Sequence, residues 1–194
     1  VCVVIFIIVG TLIYFSREWA NPIQKYDSLE HLHQKLHFTH GNLKDELYEQ
    51  QMIFKHIRPD SKILEFGPNI GRSSVVANSL LGDKTQHLCI ETIPDTCRKL
   101  RENRDKNSLG FRIFEGAVSK KKLYQSGWLS SSEQGADYVE VNTSPFYQIQ
   151  KDYQIPYNTI IADCEGCLIP FLKENTSFLD QIRLIILEHD FHNR

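Results

Sequence analysis

Apolar and polar positions divide the chain into short strands and amphipathic helices that alternate along most of its length. Val1–Phe15 is apolar and uncharged. Some fifteen helical residues rise about 22 Å, short of a roughly 30 Å hydrocarbon core. The chain opens on valine and no small-x-small cleavage site follows, so residues 1–19 read as a clipped transmembrane anchor, with a buried β-branched strand or core helix as the alternative. Residues 20–42 are polar and read as a linker, and 43–194 as the folded domain. Asn42 is placed to cap a helix from Leu43 to about Ile57. Strands are expected at Ile63–Phe66, Gln86–Glu91, Phe111–Phe114, Tyr138–Val141, Asn158–Ala162 and Arg183–Leu187. Helices are expected from Gly71 to Gly82, from Pro94 to about Asn107, from Ser144-Pro145 onward, and over Leu168–Leu172 with a kink or restart at Pro170. The polar stretch Ser119–Ala136, with Trp128 inside it, is expected to be a long lid or recognition loop. Strands alternating with helices in this way predict an α/β fold built on a parallel sheet with helices on both faces.

Composition narrows the chemistry. The net charge of −2 and the lack of a basic stripe give no general attraction for nucleic acid. Five cysteines, odd in number and unevenly spread, define no disulfide framework. Cys164-Glu-Gly-Cys167 lacks the second pair that a zinc site would need, and reads as two small residues packed in a strand–helix turn. His33 and His37 would share a helix face, yet no carboxylate or cysteine completes a ligand set, so no metal is expected. Two sequons, at Asn142 and Asn175, stand against about one expected by chance and decide nothing by themselves.

The informative stretch is Glu65-Phe66-Gly67-Pro68-Asn69-Ile70-Gly71, a strand running through a glycine turn into a helix. Glycines let the backbone turn sharply and approach a ligand, and Asn tolerates left-handed dihedrals. A dinucleotide fingerprint would need glycines where Asn69 and Arg72 stand. Glu91, at the end of the next strand, is placed to accept both hydroxyls of a ribose. Strand after strand ends in acids or small residues: Glu65, Glu91, Glu115-Gly116, Asp163-Cys164-Glu165 and Glu188-His189-Asp190. In a parallel sheet those ends share one edge and converge on one crevice.

The turn with its acid, the D-C-E-G after an apolar strand and the terminal L-E-H-D together resemble the FkbM-type class I S-adenosylmethionine (SAM) methyltransferases, over about Lys62 to Phe191. The resemblance implies a Rossmann-like sheet. Class I members usually have seven strands, and the pattern here provides five besides the short Tyr138–Val141, so the sheet is expected to lack its last strands. It also implies that Glu65, Gly67, Asn69 and Gly71 cradle the methionine part of SAM. Glu91 would hold the ribose, and Gly116, Ala117 and Val118 would lie against the adenine. Asp163 and Glu165 would stand beside the sulfonium and the acceptor, with His189 nearby. Asp163 and His189 are the expected proton acceptors. The expected activity is O-methylation of a hydroxyl on a small molecule or glycan; a non-catalytic SAM-fold module is the alternative, and a dehydrogenase comes third. SAM is made in the cytosol, and Arg17 and Lys25 follow the hydrophobic run, so a single-pass membrane protein with a cytosolic domain is expected.

Overall fold

The computed structural model of the protein describes residues 25–188 in full, together with the backbone of Val3–Ile8 and Thr11–Ile13. In chain order the elements are β1 (Val3–Ile8), β2 (Thr11–Ile13), α1 (Leu29–His33), α2 (Leu47–His56), β3 (Ile63–Phe66), α3 (Arg72–Leu80), β4 (His87–Glu91), α4 (Pro94–Lys106) and β5 (Arg112–Glu115). They continue with β6 (Ala117–Val118), β7 (Leu123–Ser126), β8 (Leu129–Ser131), β9 (Val139–Val141), β10 (Thr143–Ser144), α5 (Phe146–Tyr153), β11 (Thr159–Ala162), α6 (Leu168–Glu174), a 3-10 helix (Thr176–Gln181) and β12 (Leu184–Glu188).

The main sheet runs β2-β1-β12-β11-β3-β4-β5. Its five central strands, β12 to β5, are all parallel. They give the α/β, Rossmann-compatible architecture that the alternation predicts. Strand parity splits the core into two layers. Ile63, Cys89, Ile161 and Ile186 face Ile53, Val75, Val76 and Leu100 of α2, α3 and α4. Their neighbours Leu64, Ile90, Ile160 and Ile185 face Phe146, Ile149, Phe171 and Phe178 from α5, α6 and the 3-10 helix. Successive side chains of a strand point to opposite faces, so strands that are apolar throughout are what a sheet covered on both sides requires.

The structure departs from the expectations at five places. Val3–Ile8, expected within a helical anchor, is a strand paired parallel with β12 from Val3↔Leu184 to Ile7↔Glu188. Thr11–Ile13 returns antiparallel beside it. The β-branched run V-V-I-F-I-I suits an extended backbone better than a helix, and the main sheet reaches seven strands. The rest of residues 1–19 lies outside the described residues. Among the described residues no helix is long and apolar enough to cross a membrane.

Second, the expected linker is packed from residue 25 onward. Leu32 is fully buried, and Tyr26, Leu29, Leu36 and Phe38 pack on the same layer. The stretch is held by the buried Asn103 of α4. Its side-chain oxygen accepts the backbone N–H of Thr39 and His40, and its amide donates to the carbonyls of His40 and Ile70. Third, α2 starts at Leu47 rather than Leu43. Asn42 accepts from Lys44 N in a local turn instead of capping the helix, and Gln50 ties off the carbonyls of Leu43 and Asp45. Fourth, α6 runs through Pro170 unbroken. Pro170 stands in the first turn, where the N–H it lacks would have no helical partner. Fifth, Ser119–Ala136 carries a β7–β8 hairpin, and β9 beyond it completes a three-stranded antiparallel sheet.

Candidate functional site

The carboxyl ends of β3, β4 and β11 open into a cavity of about 650 Å³. The small antiparallel sheet closes its other side, contributing Leu123, Gln125, Trp128, Ser130 and Ser131. The hairpin turns at Gly127, whose φ of 58° is left-handed. Trp128 follows it, 56% exposed although it reaches the cavity. Lys121 brings the one cationic side chain found among the lining residues.

On the sheet side the lining begins with the turn after β3. Gly67 has a φ of +72°, and a Cβ there would stand 1.7 Å from the carbonyl oxygen of Asp163. Only glycine fits, because the ends of β3 and β11 touch at this point. Asn69 takes the left-handed conformation anticipated for it, with φ 51°. Gly71 is also left-handed, but its open side faces Leu100 at 2.5 Å and not the cavity.

Glu91 joins this turn to β4. Its Oε2 accepts from Asn69 N at 3.2 Å, and its Oε1 accepts from Thr92 N at 2.8 Å and Ile93 N at 3.0 Å. Burial raises its pKa above the usual carboxylate value, and the donors from Ile93, Thr92 and Asn69 hold that rise back. About four acceptor positions exist on a carboxylate, and three are occupied here. Glu91 can therefore take one ligand hydroxyl directly, and a second only in competition with Asn69.

Beyond β5 the chain passes Gly116 to Ala117 and Val118. The latter two line the cavity. Gly116 lies behind them, with its missing Cβ 2.5 Å from the carbonyl oxygen of Asn142.

After β11 come Asp163 and Glu165, both lining the cavity. Glu165 is left-handed with φ 51°, and Gly166 likewise with φ 91°. These two residues fold the chain back so that Cys164 and Cys167, 5.4 Å apart at Cα, form a disulfide. That corrects the expectation of two packed but unlinked cysteines. The bridge lies in the cavity wall and fixes the turn carrying Asp163 and Glu165.

Asp163 also belongs to a cluster that the sequence reading missed. Oxygens of Glu49, Asp163 and Glu188 lie within 4.8 Å of one another. Glu49 comes from α2 and is buried, with Ser73 Oγ donating to its Oε2 at 2.7 Å. Burial pushes its pKa well up, and the charges of Asp163, Glu65 and Glu46 push the same way. Nothing in D-E-L-Y-E-Q-Q marks the second glutamate as special; only the packing of α2 on α3 does.

Glu65 does not join the cavity. Strand parity turns it toward α3, where it is 1% exposed. There its Oε2 meets His87 Nε2 at 2.7 Å and accepts from Cys89 Sγ at 3.1 Å. A metal ion would find three donor types together at this point, and three carboxylates at Glu49, Asp163 and Glu188. His189 lies outside the described residues.

Of the expected site residues, the cavity thus gathers Gly67, Asn69, Glu91, Ala117, Val118, Asp163 and Glu165. Glu65, Gly71 and Gly116 are not among its lining residues. No known family matches the chain, and no curated protein matches it.

Proposed function

We propose that the protein is a SAM-dependent methyltransferase that transfers the methyl group to a hydroxyl of a small molecule or glycan. The observation that carries this reading is the convergence of Gly67, Asn69, Glu91, Ala117, Val118, Asp163 and Glu165 on one cavity. A cofactor with a ribose, a flat base and a zwitterionic tail fits such a lining. The turn at Gly67–Asn69 brings main chain within reach of the tail. Glu91 has an acceptor position left for a ribose hydroxyl, and Ala117 and Val118 offer a small apolar surface to a base. Bound SAM supplies a methyl carbon already activated by its sulfonium. The chain's own part is to align the acceptor and remove its proton. Asp163 is the candidate base: it lines the cavity, and the Cys164–Cys167 bridge fixes its turn. The lid residues Gln125, Trp128 and Ser130 are where an acceptor with both apolar and hydroxyl surface would rest.

Calorimetry with SAM and with S-adenosylhomocysteine tests the reading. Binding of both is expected. No heat from a folded sample with either one would leave a non-catalytic module of the same fold, and binding of NAD in their place would turn the reading to a dehydrogenase.

A further inference from the structure

The described cysteines fall into two classes. Cys164 and Cys167, half-buried at the cavity wall, are joined. Cys89 and Cys97, buried in the core, are free. This is the distribution that an oxidising compartment leaves behind. Neighbouring thiols within reach of a disulfide oxidant lose two electrons and two protons to it, while thiols sealed in the core stay reduced. In a reducing cytosol, by contrast, a half-exposed Cys-x-x-Cys pair is kept as dithiol.

The helix that this bridge begins also ends on a modification motif. Asn175 is the C-terminal cap of α6 and opens the sequon Asn175-Thr176-Ser177. It is the half-buried residue between α6 and the 3-10 helix, and Thr176 and Ser177 after it are exposed. Its Nδ2 donates to Phe171 O at 2.8 Å. An amide nitrogen carries two hydrogens, so a sugar can replace one while the other keeps this bond. The other sequon has the more exposed asparagine but the more constrained hydroxyl residues. Asn142 Nδ2 donates to Glu115 O and stands against Gly116, and Thr143 and Ser144 are fixed in β10 against β6.

We propose that Asn175 is an N-glycan acceptor and that the domain folds in an oxidising, lumenal compartment, not on the cytosolic side expected from Arg17 and Lys25. In the transfer, the Asn175 Nδ2–C1 bond forms as the C1–O bond to a lipid-linked pyrophosphate donor breaks. The lipid pyrophosphate leaves, and the amide proton goes to solvent. Neither the glycan nor the bridge involves the cofactor, so both can be tested apart from the methyltransferase reading; a lumenal methyltransferase would draw its SAM from the cytosol across the membrane.

The test is expression of the full chain in animal cells, followed by peptide-N-glycosidase digestion and by alkylation with and without reductant. A glycosidase-sensitive shift that disappears in Asn175→Gln is expected, with Cys164 and Cys167 protected from alkylation until a reductant is added. No shift in the wild type overturns the proposal whatever the state of the cysteines. So does a shift that persists in Asn175→Gln and is lost in Asn142→Gln. Alkylation of both Cys164 and Cys167 without reductant overturns the compartment. Since the wild type is read alongside each variant, poor folding of Asn175→Gln does not blur the outcome.

Discussion

The carbonyl oxygen of Asp163 occupies the place where a side chain on Gly67 would begin, 1.7 Å from an ideal Cβ. A methyl group at Gly67 therefore collides with main chain at the end of β11 and also imposes a left-handed φ on an ordinary residue. Gly67→Ala should lower the stability of the fold by about 1–3 kcal/mol. At about 2–4 °C per kcal/mol, differential scanning calorimetry will resolve the drop. The same displacement moves Asp163, so cofactor affinity should fall with it. A variant that melts and binds as the wild type does would mean the two strand ends are not in contact.

Glu91 accepts three backbone N–H groups and faces the cavity with what remains. Truncating it exposes two failures at once. Glu91→Ala should melt earlier, because Asn69, Thr92 and Ile93 lose a charged acceptor. It should also bind SAM about 5–150-fold more weakly, the equivalent of about 1–3 kcal/mol. Titration well below the melting temperature of the variant separates the two effects. Unchanged affinity there would remove Glu91 from the cofactor site.

Glu49 is a buried carboxylate whose pKa is held well above the usual value, first by desolvation and then by neighbouring charges. The folded protein thus keeps a proton that the unfolded chain releases near its ordinary value. Stability from this group falls as pH rises from about 4.5 toward the folded-state pKa, and stays reduced above it. Glu46 and Glu91 are also raised and act in the same direction. Glu49→Gln keeps an oxygen for Ser73 and removes the charge. It should melt higher than wild type at neutral pH, with the gap closing as the pH is lowered to 5. A gap that stays constant with pH would contradict the burial of a titrating carboxylate.

The free thiols among the described residues, Cys89 and Cys97, should be inert in the folded state. Burial raises the Cys89 pKa well above the ordinary thiol value. Burial, aided by the charges of Glu91 and Glu115, pushes the Cys97 thiol up to about 12. Iodoacetamide at pH 8 should leave both unmodified for as long as the protein is folded, and label both in denaturant; intact-mass measurement distinguishes the cases. Rapid native labelling of either would show that the core layer around it opens.

The strand–helix alternation was legible because the sheet is covered on both faces, which makes each of its strands an apolar block. The turn after β3 and the acid at the end of β4 were legible for the same reason: their positions follow from where a strand stops. What escaped the reading depends on orientation and dihedrals. Glu65 shares a sheet face with Glu91, since its register partner Cys89 stands two residues before Glu91. But Glu65 stops one residue short of the end of β3 and lies under α3, while Glu91 is the last residue of β4. A pattern of acids near strand ends does not resolve that difference. The Cys164–Cys167 bridge needs left-handed Glu165 and Gly166 between its ends, a conformation that spacing alone does not reveal. Residues 25–40 looked like a linker because polar residues separate Leu29, Leu32 and Leu36, although those three stand three and four apart as a helical seam does. In Ser119–Ala136 the short strands are too polar and too brief to show their period of two.

Asn103 has one oxygen with two lone pairs and two amide hydrogens, and all four bonding positions are taken. No other side chain reproduces that set at that reach: aspartate lacks the donors, glutamine is a methylene too long, and leucine strands four main-chain groups. In a library of random variants selected for folding, position 103 should therefore be nearly invariant, although it touches no ligand. The segment around His40 and the turn at Ile70 would drift together wherever it changed, and the damage would surface at the cavity, some distance from the substitution that caused it.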